Sequence, residues 1–235
     1  MKAQVLFALA ACAIPVAGEP APALPPEAIV EQYCAVARDR EVSLKGASME
    51  VQIEAKLPRL KKWGRLLALR HISTIGRITY DALRFEGDNS VKTHVIARYL
   101  AAEVQNDRGP KLAVTPENYK FKYRKMSEFA GRQAYVFEVT PRRKEVGLFK
   151  GEFWIDAETY LCIRESGRFV KNPSIFLKKV EFVREYGIQD GISVPVRMQS
   201  VAQTRLVGMA ELTIDFSNFS LAEGTKRASL AGEAQ

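Results

Sequence analysis

The chain has 235 residues and a formal net charge of +8 at neutral pH, with 47% hydrophobic and 26% charged residues. This amount of apolar material supports a buried core, which excludes wholesale intrinsic disorder. The sequence contains two histidines and three cysteines, which argues against a zinc cluster or a disulfide-dense scaffold. At this length we expect one folded domain.

The first 18 residues have the pattern of a secretory signal peptide. Lys2 precedes an uncharged apolar run of about 13 residues, which is too short to span a bilayer as a helix. Small residues at Val16-Ala17-Gly18 offer a cleavage site. We therefore predict export to the periplasm, with a mature chain that begins near Glu19. In an alternative, Leu9-Ala10-Ala11-Cys12 resembles a bacterial lipobox, and acylated Cys12 anchors the protein to a membrane.

A stiff Pro/Ala-rich linker is predicted over residues 19–26, and an amphipathic helix follows it to about residue 38. The apolar side chains of this helix recur at a spacing of three or four: Ile29, Val30, Tyr33, Cys34 and Ala37. After export, the cysteines of the mature chain are Cys34 and Cys162. They form either a disulfide bridge or two small buried apolar side chains, and the sequence leaves both alternatives open.

Beyond residue 46 the apolar period changes to two, which is typical of strands with one solvated face. Ten strands are predicted, at 51–57, 63–73, 78–86, 119–126, 134–141, 149–156, 160–170, 177–188, 192–201 and 208–219. A second helix over residues 91–105 interrupts the series, and an irregular loop with two X-Pro turns follows it to residue 116.

Ten successive antiparallel strands cannot remain one flat sheet. We predict an α+β fold, mainly antiparallel β, in which an unclosed, half-open β-barrel has two helices covering its concave face. A β-sandwich is the alternative. The predicted domain covers residues 27–221, and residues 222–235 are predicted to form a flexible C-terminal tail.

No motif for catalysis or metal binding is present in the sequence. His71 and His94 have no neighbouring ligand at metal-site spacing, and there is no nucleophile elbow, P-loop or dinucleotide fingerprint. Asp156 and Glu158 form the nearest approach to a carboxylate pair, but they lie in a predicted turn, where such residues serve backbone geometry. We therefore predict a binding protein that has no catalytic residues, metal or cofactor.

Basic residues alternate with aromatic residues in the strand that begins at Tyr119, where Lys120, Lys122 and Arg124 share one face. Further basic residues cluster at 142–144 and 178–179. The pattern fits a solvated strand face, attraction to anionic lipid head groups, or binding of single-stranded nucleic acid. Export argues against the last interpretation, so no nucleic-acid partner is expected.

Two stretches in the second half carry specific motifs. Gly131, Tyr135 and Pro141 match the pattern G-x-x-a-Y-x-[FL]-x-[VL]-x-P. A second pattern, l-W-[IV]-D-x-x-T-x-l-[PL]-x-R, is matched by Trp154, Asp156, Thr159, Leu161 and Arg164. These motifs resemble the LolA-like superfamily of outer-membrane lipoprotein-sorting proteins, which includes RseB-like periplasmic sensors. The resemblance is specific over residues 131–195, and the basic loop at 142–145 departs from the lipoprotein chaperones.

This resemblance implies an apolar cavity that receives acyl chains beneath a helical lid. Six side chains that alternate inward are the candidate ligand-binding residues: Phe121, Tyr123, Tyr135, Phe137, Phe153 and Ile155. The predicted function is an exported, non-enzymatic carrier of a lipid or lipoprotein that holds acyl chains in this cavity. The alternative is a periplasmic regulatory or sensor domain that docks a membrane-protein partner. We expect a monomer in either case.

Overall fold

The structure is a computed structural model that describes residues 24–105, 111–172, 176–205 and 207–221. The predicted signal peptide with Cys12, residues 19–23 of the predicted linker and the predicted tail at 222–235 lie outside the described residues.

Both predicted helices and all ten predicted strands are present, with ends that differ from the predictions by a few residues. The strands are β1 (Ala47–Leu57), β2 (Lys62–Ile72), β3 (Ile78–Gly87), β4 (Tyr119–Phe129), β5 (Arg132–Pro141), β6 (Phe149–Asp156), β7 (Cys162–Phe169), β8 (Leu177–Gln189), β9 (Ile192–Thr204) and β10 (Met209–Leu221). The helices are α1 (Pro26–Ser43), α2 (Asn89–Val91) and α3 (Ala97–Gln105), with a π turn (Lys92–Ile96) joining α2 to α3.

All ten strands belong to one sheet, in the order β3-β2-β1-β10-β9-β8-β7-β6-β5-β4. Every neighbouring pair is antiparallel. Strands β3 and β4 stand at the two ends of this order, so the sheet is not closed. The prediction of an unclosed half-barrel is therefore confirmed, and the β-sandwich alternative does not hold.

Two-residue turns fix the register of two hairpins in the sheet. Ala130 and Gly131 join β4 to β5 with φ values of 52° and 77°, and Asp190 and Gly191 join β8 to β9 with φ values of 50° and 72°. Two consecutive left-handed residues match the right-handed twist of the flanking strands. The turn predicted at Asp190-Gly191 is thus present in the structure.

The helices pack against two separate apolar clusters of the sheet. Side chains of α1 join the cluster formed by β4 to β8, and Val91 and Ile96 of the second helical region join the cluster of β1, β2 and β10. The alternation in β1 explains the second cluster, since Met49, Val51 and Ile53 are buried while the residues between them are more exposed. Each helix therefore covers its own half of the concave face.

Neither Cys34 nor Cys162 takes part in a disulfide bridge within the described residues. Cys162 is buried in the cluster beneath α1, and Cys34 of α1 packs against the same cluster. Of the two alternatives for these residues, the structure has the small apolar side chains and not the disulfide bridge.

Candidate ligand-binding face

The six predicted ligand-binding side chains come together on the concave face. We call them the aromatic half: Phe121, Tyr123, Tyr135, Phe137, Phe153 and Ile155. The last four are buried, whereas the two from β4 are half-buried. Their rings meet edge to face, with centroids 6.0 Å apart for Phe121 and Phe137 and 5.7 Å apart for Tyr123 and Phe137. Edge-to-face rings at this separation attract one another.

Helix α1 lies over the aromatic half. Ile29, Val30 and Tyr33 of α1 are all buried in the same cluster. The ring of Tyr33 meets that of Phe153 edge to face, at a centroid distance of 4.9 Å. Side chains of α1 thus occupy the concave face at the place where the family resemblance implied an apolar cavity.

A row of side chains crosses the whole concave face and is polar at its centre. From β2 to β5, paired residues in this row are Leu66, Ile53, Ile214, Met198, Arg184, Glu165, Phe153 and Phe137. The arginine and the glutamate separate the two apolar clusters. We call the surrounding network the polar seam: Arg70, Tyr80, Glu103, Glu165, Arg184 and Tyr186.

One part of the polar seam lies on β7 and β8, next to the aromatic half. Arg184 Nη1 is 3.4 Å from Glu165 Oε2, and the Tyr186 hydroxyl donates a hydrogen bond to Glu165. Burial alone would lower the pKa of Arg184, but the negative charge of Glu165 and smaller contributions from Tyr186, Tyr99 and Glu103 together outweigh it, and the net shift is upward. Arg184 Nε is buried without a hydrogen-bond partner. Arg184 therefore remains charged and retains a spare donor.

The other part of the polar seam fastens α3 to β2 and β3. Arg70 Nη2 donates to Glu103 Oε1 at 3.0 Å, and the Tyr80 hydroxyl donates to Glu103 Oε2. Burial, reinforced by the charge of Glu103, raises the pKa of Tyr80. Both members of the ion pair are mostly buried, at 10% and 13% side-chain exposure. Removing one partner would leave a buried charge uncompensated.

Sequence reasoning missed the polar seam, although β8 contained a usable signal. Val180, Phe182, Arg184 and Tyr186 follow one another at period two, so the arginine shares the inward face of its apolar neighbours. Charged residues in strands are usually assigned to solvent, and the opposite charge of Glu165 lies 19 residues away in sequence. The pairing of β7 with β8 brings the two together.

The residues of the second family motif stabilise a turn. Asp156 accepts hydrogen bonds from Arg132 Nε at 2.6 Å and from the backbone and hydroxyl of Thr159 at 2.8 and 2.7 Å. Burial alone would raise the pKa of Asp156, but these hydrogen bonds outweigh it and lower the pKa. The Arg164 guanidinium stacks 5.2 Å from the Trp154 ring centroid. All these contacts serve the hairpin between β6 and β7.

The described part of the chain contains no group of three or more His, Cys, Asp or Glu side chains that could hold a metal ion. His71 Nε2 lies 3.5 Å from Asp81 Oδ2 on the sheet surface. Within the same residue ranges, no helix combines the length and apolarity needed to cross a bilayer.

Solved structures that are similar to this one include one that is described as a putative outer-membrane lipoprotein-sorting protein domain. A DUF1329 family protein from Desulfovibrio piger has 15% identity and a TM-score of 0.47, with 85% of this chain and 94% of that chain covered. A LolA superfamily protein from Nitrosomonas europaea has 12% identity, a TM-score of 0.40 and coverages of 86% and 95%. A putative outer-membrane lipoprotein-sorting domain from Vibrio parahaemolyticus has 14% identity, a TM-score of 0.40 and coverages of 86% and 98%.

The sequence matches no protein-family model and no curated protein. The architecture of this chain is therefore established by its own strand order and helix contacts.

Proposed function

We propose that this protein is an exported carrier that binds an acyl chain of a lipid or lipoprotein and catalyses no reaction. The acyl chain lies on the aromatic half of the concave face, and α1 leaves that face to admit it. The observation that carries the proposal is the packing of α1 over the aromatic half. An extended aromatic surface is closed by a helix that contributes Ile29, Val30 and Tyr33 to the buried cluster.

The burial energies of the acyl chain and of α1 favour replacement of the helix by the acyl chain on the aromatic half. A palmitoyl chain gains about 0.8 kcal/mol for each methylene that it buries, and at most about 11 kcal/mol when all its methylenes are buried. Exposing the three buried side chains of α1 costs about 1.5–3 kcal/mol each. The acyl chain therefore offers more apolar surface to the aromatic half than α1 does, and it can displace the helix.

The polar seam sets one end of the proposed binding surface. Methylenes cannot satisfy Glu165 and Arg184, so an acyl chain is confined to the apolar side of this pair. The unpartnered Nε of Arg184 offers a hydrogen bond to a carbonyl oxygen. An ester or amide at the head of the acyl chain provides such an acceptor, which favours acylated ligands over plain hydrocarbons.

Titration with palmitic acid, followed by native mass spectrometry of the mature chain, tests the proposal. We expect one bound palmitate per chain. Phe121→Ala removes a half-buried ring from the aromatic half and is expected to weaken binding about tenfold. A protein that binds no palmitate after delipidation would contradict the proposal.

Phe129→Ala is the matched control because it removes the same side chain from the same strand. Phe129 packs against Trp154, with ring centroids 6.2 Å apart, and Trp154 alternates with the inward residues Phe153 and Ile155. Palmitate affinity is expected to be unchanged in this variant. Equal losses in the two phenylalanine variants would show that binding does not use the concave face.

The second candidate function is a regulatory domain that binds an amphipathic helix of an envelope protein. The observation that favours it is that a helix, α1, already occupies the aromatic half. An apolar groove that accepts one amphipathic helix can accept another. A peptide of residues 26–43 added in trans tests this candidate. The peptide should bind to a chain from which α1 has been truncated. The carrier function predicts that palmitate blocks the binding of this peptide.

A further inference from the structure

Two adjoining concavities lie near the ends of β6, β7 and β8, outside the aromatic half. Their volumes are about 510 and 350 Å³, and they share Lys150 and Arg168. The smaller one has the size of a small-ligand pocket. Its cationic side chains define what we call the basic groove: Lys144, Lys150, Arg168, Lys178 and Lys179.

Carboxylates neutralise only part of the basic groove. Lys150 Nζ is 3.6 Å from Glu138 Oε1, and Lys179 Nζ is 2.7 Å from Glu181 Oε1. The other three cations have no ion pair with any described residue: Lys144, Arg168 and Lys178. The groove therefore carries a surplus of positive charge that is available to an anion.

Backbone geometry keeps part of this region clear of side chains. Gly151 of β6 pairs with Gly167 of β7, and both line the larger concavity. A Cβ atom on Gly151 would stand 1.9 Å from the carbonyl oxygen of Ser166. No other residue fits at that position. Lys150 and Arg168 are the neighbouring pair of the same two strands and also line the larger concavity.

The loop that carries Lys144 is fastened by its two arginines. Arg142 Nε donates to the Pro116 carbonyl at 2.7 Å, and Arg143 Nη1 donates to Asn118 Oδ1 at 2.7 Å. These contacts use the arginines for structure and leave Lys144 exposed at the groove. The local surplus of cations is also felt at Glu145, whose pKa is lowered, first by its hydrogen bond with Arg143.

Exposed apolar side chains accompany the cations. Val146 and Phe176 are 37% and 49% exposed, and each lies two residues from a lysine of the basic groove. Cations next to exposed apolar residues are typical of surfaces that meet the interface of an anionic bilayer. A free phosphate or a nucleic-acid backbone would not need the apolar residues.

We infer that the basic groove binds the phosphate groups of anionic phospholipids and docks the protein on a membrane surface. The inference concerns a different surface from the aromatic half and does not depend on acyl-chain binding. Lys144, Arg168 and Lys178 supply the attraction, and Val146 and Phe176 contact the interface.

Co-sedimentation of the mature chain with vesicles tests the inference. We expect binding to vesicles of 70% phosphatidylcholine and 30% phosphatidylglycerol, and little binding to phosphatidylcholine alone. Each basic residue near an anionic surface contributes a similar amount to the free energy of membrane binding. The double variant Lys144→Gln with Lys178→Gln should therefore lower the partition coefficient about 30-fold. Raising the salt concentration should weaken it for the unmodified chain as well.

Lys120→Gln with Lys122→Gln is the matched control, since it removes the same charge from exposed positions on β4. This variant should retain most of its vesicle binding. An equal loss in both double variants would overturn the inference by showing that only net charge matters. Equal binding to neutral vesicles would overturn it too.

Two competitors separate the membrane from other sources of phosphate. If inorganic phosphate at about 10 mM displaces the protein from vesicles at constant ionic strength, a free anion is the ligand and the inference fails. Displacement by an RNA oligonucleotide that binds more tightly than vesicles would also overturn it. Phe121→Ala should leave vesicle binding unchanged, so failure of the carrier function remains distinguishable.

Discussion

The two halves of the concave face are covered by helices that are held in different ways. Helix α1 places Ile29, Val30 and Tyr33 among apolar side chains, whereas α3 is fastened by the ion pair of Glu103 with Arg70. An acyl chain can replace apolar contacts of the first kind. It cannot replace a buried ion pair, because the charge left behind would be unsatisfied. The comparison indicates that α1 is the movable cover and α3 the fixed one.

Breaking the ion pair of α3 is expected to have the largest effect. Glu103→Gln leaves the buried guanidinium of Arg70 without its countercharge. We expect the free energy of unfolding to fall by about 3–5 kcal/mol, measured by urea denaturation.

Glu54→Gln provides the control for that variant. Glu54 pairs with Arg65, but the side chain of Arg65 is 42% exposed. Because solvent screens such a pair, the loss should stay below about 1 kcal/mol. Similar losses of unfolding free energy in the two variants would contradict the claim that a buried ion pair holds α3 in place.

Weakening the contacts of α1 should expose the cluster beneath it. In a Cys34→Ser background, Ile29→Ala removes a fully buried side chain from α1 and is expected to weaken its docking by about 2–4 kcal/mol. The thiol of Cys162 is buried in that cluster. Its reaction with a thiol reagent should therefore accelerate at least about 30-fold.

The corresponding change in the other half is Ile96→Ala, which removes a buried side chain at the end of the π turn. This variant should leave the labelling rate of Cys162 close to that of the Cys34→Ser chain under native conditions. If both alanine variants accelerate labelling equally, the protein opens globally and α1 does not move by itself.

A fall in pH should have the smallest effect on stability. It acts on Asp156, at the turn between β6 and β7. The pKa of Asp156 is lower in the folded chain than in the unfolded chain. Its stabilising contribution is therefore present above about pH 4 and is lost as the pH falls through the folded-state value.

Asp156→Asn tests that contribution. Urea denaturation at pH 7 should show a loss of about 2 kcal/mol, and the difference from the unmodified chain should shrink towards pH 2. A difference that is the same at both pH values would exclude Asp156 as its source.

Sequence periodicity was sufficient for the elements because it reports local geometry. The alternation of Val51, Ile53, Ala55 and Leu57 predicted β1, and the sequence Asp190-Gly191 predicted a tight turn. The joining of β1–β3 and β4–β10 into one sheet depends on the pairing of β1 with β10. The alternation of apolar and polar residues along β1 contains no information about which strand pairs with it.

The candidate site was predictable only in part, for two physical reasons. The six residues of the aromatic half were identified by their inward phase, and the structure places them together. The apolar stripe of α1 predicted a packed helix, but it did not reveal which sheet residues that helix covers. Arg184 and Glu165 were missed because their burial becomes favourable only when β7 and β8 bring the opposite charges together.

Hydrogen exchange of the mature chain with and without palmitate tests the central claim most directly. If an acyl chain takes the place of α1, palmitate should accelerate amide exchange in residues 29–37 and leave residues 97–105 unchanged. Exchange in residues 29–37 that stays the same or becomes slower while palmitate is bound would contradict the claim that α1 is the movable cover.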